Sequence, residues 1–190
     1  MADAGRVIAG SARGIRLAAP GEGTRPLGDR VKQTLFAVLE PDLPGARILD
    51  LFAGSGAAGI EALSRGAAAA TFVESDRGAV RVIEENLRRA RLVDRARVVR
   101  ADALRWLAAD AATEAPWDLV LLDPPYAEPA LAKRALAALG GPGLVVPGGR
   151  VVAKHFWRTP PPATVGLLAS ERERRFGETA LTFYRLEEDR

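Results

Sequence analysis

The sequence predicts an α/β fold: a doubly wound, mostly parallel sheet with an antiparallel C-terminal edge and a short N-terminal β-hairpin or arm. Three observations carry this. From about residue 45, strand-like apolar runs alternate with helix-like periodicity, the pattern of a parallel sheet wrapped by helices. The run "DLVLLD" (118–123) has almost no polar interruption, as expected of a strand buried on both faces. The stretch "DLFAGSGAAG" (50–59) is a glycine loop that joins a strand to a helix.

Residues 1–26 are rich in Gly, Arg and Pro, with β-like patches at 6–9 and 15–18 that suit a hairpin or an extended arm. In "DRVKQTLFAVL", Val31, Leu35, Val38 and Leu39 recur at helical spacing, with Asp29 as the expected N-cap and Pro41 and Pro44 as stops. "ARILDL" (46–51) is the first strand of the alternating region, and a helix covers 57–64. "ATFVE" (70–74), "ARVVR" (96–100), "DLVLLD" and "GRVVAKH" (149–155) are the next strands. Helices are expected at 76–90, 104–109 and 129–139. "ATVGLLAS" (163–170) and "ALTFYRL" (180–186) read as two β segments around a polar turn, and "RTPPPA" (158–163) as a stiff connector. The expected organisation is an N-terminal arm and helix over 1–40 and an α/β domain over 41–190.

Composition narrows the chemistry. With no Cys, there is no disulfide, thiolate metal site or Cys nucleophile. A single His, His155, argues against a His-rich metal site or a Ser-His-Asp triad, and no metal is expected. No apolar run approaches the roughly 20 residues that cross a bilayer, and the N-terminus lacks a signal-peptide core. The expected location is the cytoplasm. The net charge of +3 is compatible with a nucleic-acid partner.

The glycine loop holds Gly54, Gly56 and Gly59 in G-x-G-x-x-G spacing, which suits either a dinucleotide or S-adenosylmethionine. Asp50 either belongs to the cofactor site or braces the loop by accepting backbone N–H groups. Glu74 ends the second strand of the alternating region, where a carboxylate accepts from two ribose hydroxyls. Both cofactors carry a ribose. Asp102 follows the third such strand, placed to accept from an adenine amine or equally to cap the next helix.

"DPPY" (123–126) separates the cofactors. Methylating an exocyclic amine requires its delocalised lone pair to localise as the nitrogen turns tetrahedral. Acceptors aimed at the two N–H bonds favour that geometry and the developing positive charge. The Asp123 carboxylate and the Pro124 carbonyl supply two such acceptors, and consecutive prolines hold them rigidly. Tyr126 offers a face on which an unpaired base stacks. Arg6, Arg13, Arg16, Arg25, Arg30 and Lys32 form a candidate phosphate-binding band. Lys154 and His155 close the fifth strand near the ligand crevice, and His155 reads as a polar loop residue.

Together "DLFAGSG" and "DPPY" resemble the class I, Rossmann-like S-adenosylmethionine-dependent methyltransferases acting on amine nitrogens. More closely, the chain resembles the RsmD-type family, which methylates guanine N2 in small-subunit (16S) ribosomal RNA. "RVIAGSARGIRLAAP" (6–20) is similar to the family's opening arm, "RPLGDRVKQTLF" (25–36) to its next motif, "LDLFAGSGAAGIEALSRGA" (49–67) to its cofactor loop, and "RRFGETALTFY" (174–184) to its ending. Leu27 and Gly28 stand where the family has hydroxyl residues, and Gln33 where it has an acid. The resemblance implies that Glu74 and Asp102 hold ribose and adenine. It places Phe52, Ala53, Ser75 and Ala103 beside them in the cofactor site, together with Asp123. It also implies that the segment before the sheet helps hold cofactor and RNA, on a partly assembled 30S particle, with the enzyme as a monomer.

The alternatives are another amine acceptor (DNA adenine N6 or protein glutamine) and an NAD-dependent oxidoreductase. A non-catalytic RNA-binding protein is a further one, which an intact D-P-P-Y disfavours.

Overall fold

The structure, a computed structural model, describes residues 2–21 and 28–188. The chain divides into two compact units, residues 1–101 and 102–190.

In the first unit, β1 (Ala2–Arg6) and β2 (Arg16–Ala19) pair antiparallel as the predicted hairpin, the first strand lying earlier in the chain than expected and the second one residue later. Helix α1 spans Asp29–Leu39. Gly28 occupies its N-cap position, so Asp29 is the first helical residue and does not cap it. Its carboxylate instead lies 3.4 Å from the Lys32 ammonium, one turn on. A three-residue 3₁₀ turn containing Pro41 follows, consistent with a proline-enforced stop.

The alternating region then runs β3 (Arg47–Leu51), α2 (Ala57–Ser64), β4 (Ala69–Glu74), α3 (Arg77–Ala90) and β5 (Ala96–Arg100). β4 pairs parallel with both β3 and β5. Every residue of α2 is buried, so this short helix is a core element rather than an amphipathic cover. Helix α3 is amphipathic, burying Ala79, Val82, Ile83, Leu87 and Ala90. The Asp76 side chain caps it by accepting from the Ala79 amide at 2.7 Å.

The arm is fixed to this unit by buried polar groups. The Glu61 carboxylate, fully buried on α2, accepts from the Ile8 and Ala9 amides at 2.7 and 3.0 Å. The Asn86 amide on α3 bonds both backbone groups of Ala18 and also donates to the Ser55 carbonyl. Each pairing satisfies strand or loop backbone that burial would otherwise leave without a partner.

In the second unit, α4 (Ala103–Ala109) precedes β6 (Trp117–Leu122), then α5 (Pro129–Leu139) and β7 (Val145–Phe156). β6 and β7 are parallel, and Trp106 and Trp117 meet at 5.7 Å between ring centroids. The edge is more extensive than predicted. β8 (Thr164–Val165), β9 (Leu168–Phe176) and β10 (Thr179–Leu186) form antiparallel pairs, with β10 between β7 and β9. "ERERRF" (171–176), expected as a turn, is therefore strand. Its charges belong to a solvent-facing edge ladder, where charged side chains block further pairing.

Candidate active site

The glycine loop of the first unit is conformationally special at three neighbouring positions. Gly54 and Gly56 have φ of 55° and 74°, and Phe52, a non-glycine, has φ of 58°. A bulky residue held in the left-handed region is strained, and such strain concentrates where ligands bind. Phe52, Ala53 and Gly54 are partly open to solvent, whereas Leu51 and Ser55 on either side are buried. Gly59 serves packing: a Cβ there would lie 2.4 Å from Phe72 Cε1 on β4. Its amide donates to the Asp50 carboxylate at 2.9 Å, so Asp50 braces the loop, the second of its two sequence readings.

Glu74 ends β4 and is half-buried. One carboxylate oxygen accepts from the Gly54 amide and the other from the Asp76 amide, both at 2.9 Å. Ser75 Oγ lies 3.4 Å from the latter oxygen. A carboxylate has about four acceptor sites, so Glu74 holds the loop and keeps capacity for hydroxyls. In the other unit, Asp102 caps α4, with Oδ1 accepting from the Arg105 amide at 2.9 Å. Asp102 is exposed and Ala103 beside it is buried.

Asp123 follows β6 directly, with Pro124 buried and Tyr126 37% exposed. The Tyr126 hydroxyl lies 2.7 Å from Thr179 Oγ1 on β10, which fixes the ring's outer end. Lys154 on β7 places its ammonium 2.7 Å from one Asp123 carboxylate oxygen and 2.8 Å from the other. The same ammonium lies 5.2 Å from the centre of the Tyr126 ring. Burial pushes the Asp123 carboxyl above its ordinary range, and the Lys154 charge and hydrogen bond pull it back. An open cleft adjoins the loop, lined by Pro124, Tyr126, Ala132, Phe156 and Pro161 among others.

The sequence reading did not assign Lys154 a role. The available signal was a lone Lys inside the apolar run of β7, the strand beside the one that carries D-P-P-Y. His155 is also corrected. It is a buried strand residue, with Nε2 2.8 Å from Thr182 Oγ1 and Nδ1 3.0 Å from the Phe156 carbonyl oxygen.

The basic band is divided. Arg6, Arg13, Arg16 and Arg30 are exposed, with Arg6 and Arg16 facing Asp29 and Asp3. Lys32 leaves the band: it is fully buried and donates to the Arg6 carbonyl at 2.6 Å, holding the arm rather than a phosphate. Arg25 lies outside the described residues. Among the described residues, no helix is long and apolar enough to cross a membrane.

Comparison with known proteins identifies the family of the chain. The family model described as "Conserved hypothetical protein 95" matches residues 5–185. YlbH of Bacillus subtilis, provisionally named as an rRNA methyltransferase, is 41% identical over 181 residues, 95% of this chain and 98% of that protein. Ribosomal RNA small subunit methyltransferase D of Escherichia coli is 44% identical over 122 residues, 64% of this chain and 60% of that enzyme. The solved structure of yhhF from Escherichia coli, provisionally titled a methyltransferase, superposes with a TM-score of 0.86 at 34% identity. That match covers 96% of this chain and 97% of that one. The fold is thus the Rossmann-like class I methyltransferase fold, and the chain belongs to the conserved hypothetical protein 95 family, the RsmD-type family whose motifs it carries.

Proposed function

We propose that this chain transfers a methyl group from S-adenosylmethionine to the exocyclic N2 amine of a guanine in small-subunit ribosomal RNA. The observation that carries this is the acceptor loop. Asp123 is held by Lys154 at the end of a buried strand, ahead of a buried proline and an exposed, anchored tyrosine. Family membership and the small-subunit rRNA methyltransferase among the relatives support the substrate.

The residues present fit the methyl donor. The loop over Phe52–Gly54 is the partly open segment between buried neighbours, and the Glu74 carboxylate stands at the strand end beside it. Glu74 would take the ribose hydroxyls, Asp102 Oδ2 the adenine amine, and the backbone of 52–56 the methionine end. When bound, S-adenosylmethionine supplies an electrophilic methyl on a sulfonium sulfur.

The Asp123 carboxylate accepts one N–H of the guanine amine and the Pro124 carbonyl accepts the other. Both bonds strengthen as the nitrogen gains positive charge, so the stabilisation is largest in the transition state. Tyr126 stacks on the base and sets its plane. Lys154 aims the carboxylate and keeps it ionised, because Asp123 accepts an N–H as a strong acceptor only without its proton. Alignment of nitrogen, methyl and sulfur supplies the remaining acceleration by proximity.

The substrate we infer is a partly assembled small subunit. The chain has little surface for reading sequence, and an assembling particle presents one guanine in a fixed shape. The enzyme acts as a monomer, a reading supported by its surface: Val93 and Tyr126 are the large exposed apolar or aromatic side chains among the described residues.

Calorimetry with S-adenosylmethionine and with NAD tests the cofactor. Binding of the former alone is expected. Tight NAD binding without S-adenosylmethionine binding would return the glycine loop to an oxidoreductase.

A further inference from the structure

The loop after β7 carries an aromatic and guanidinium cluster that the proposed chemistry does not use. The Trp157 amide donates to the Glu178 carbonyl at 3.1 Å, which docks this loop on the β9–β10 turn. The Arg175 guanidinium lies 3.5 Å from the centre of the Trp157 ring, and that of Arg158 lies 5.0 Å from it. Arg175 Nε donates to the Gly177 carbonyl at 3.0 Å, fixing the guanidinium plane while its two terminal nitrogens stay available. Arg158, Arg172, Arg174 and Arg175 are all exposed. The acids of β9 are engaged elsewhere: Glu171 by Arg185 and Arg150, and Glu173 near His155. Among the described residues, neither Arg158 nor Arg175 has a carboxylate partner.

A stacked arginine with its donor edge turned to water is preorganised for phosphate, and a partly exposed indole is a stacking surface for an unpaired base. The cluster is also continuous with the acceptor loop. Phe156 and Thr159 line the same cleft as Pro124 and Tyr126, and Thr179, beside Glu178, meets the Tyr126 hydroxyl at 2.7 Å.

We propose that Trp157, Arg158 and Arg175 form a platform for the single-stranded RNA flanking the methylated guanine, stacking a neighbouring base and holding its phosphate. This rests on the amine-methylation reading of D-P-P-Y.

The test is filter binding of the full chain to small-subunit rRNA transcribed in vitro, over a salt series, with methyl transfer measured separately. Arg175→Gln is expected to weaken RNA binding about tenfold and to lower the salt slope by about one. Trp157→Ala is expected to weaken binding at least about fivefold, with Trp157→Phe recovering most of it. S-adenosylmethionine affinity is unchanged in each. Arg89→Gln, which removes an equal charge from a pair with Glu85 on α3, is expected to stay within about twofold. Should Trp157→Ala unfold, Arg175→Gln and Arg89→Gln decide the matter. Wild-type affinity in Arg175→Gln, or an equal loss in Arg89→Gln, overturns the platform. Wild-type protein that binds RNA through these residues but transfers no methyl overturns the activity and leaves the platform standing.

Discussion

In the proposed reaction, Asp123 performs a task at odds with its surroundings. It must be ionised to accept an N–H, yet burial favours its protonated form. Lys154 resolves the conflict with an ammonium within 2.8 Å of both oxygens. The sign of the pH dependence follows. With its folded-state pKa raised, Asp123 binds its proton at a higher pH than a free carboxyl, and transfer fails as pH falls through that value. For stability the effect runs opposite to that of a typical paired carboxylate. The ionised group costs stability above its folded pKa, and that cost is relieved as pH falls from the folded toward the unfolded value. Replacing Lys154 with Met removes the opposing charge, so the acid limb of kcat should move to higher pH, and Lys154→Arg should restore much of it. An acid limb that stays in place in Lys154→Met would show that the ion pair does not govern the acceptor.

At the scale of elements, α2 shows how packing overrides propensity. Gly59 lies in the first turn of this helix, where alanine is favoured by about 1 kcal/mol. The backbone there passes so close to β4 that a Cβ would meet the fully buried Phe72 ring at 2.4 Å. Gly59→Ala should therefore destabilise the protein by about 1–3 kcal/mol, read as a lower urea midpoint at constant m. A raised midpoint would mean that Phe72 has room to yield. The elements themselves were largely legible because each satisfies local rules: the 3.6-residue period in α3, the apolar run of β6, the prolines after α1. What sequence could not display was partnership across distance. Lys32 read as part of a phosphate-binding band and Lys154 as a residue near the ligand crevice, yet the first is buried against the Arg6 carbonyl and the second is paired with Asp123. The alternating charges of β9 read as a turn because a solvent-facing edge strand lacks the apolar face that marks a strand in sequence. The left-handed φ of Phe52 had no local signal, since nothing in the residue type foretells it.

For the molecule as a whole, D-P-P-Y was visible as a motif, as was the glycine loop, and the structure adds the lysine and the threonine that orient it. On the proposed reading, the Asp123 carboxylate, the Pro124 carbonyl and Tyr126 receive a planar amine, and family membership points to ribosomal RNA as its source. The most direct test supplies the purified chain and S-adenosylmethionine with small-subunit rRNA, free and in partly assembled particles, from cells lacking the gene. Methylated nucleosides are then identified by mass spectrometry. The account predicts one N2-methylguanosine with the wild-type chain and none with Asp123→Ala, while that variant keeps its S-adenosylmethionine affinity within about tenfold, or 1.4 kcal/mol. No methylated guanosine from either substrate, or undiminished methylation by Asp123→Ala, would contradict it.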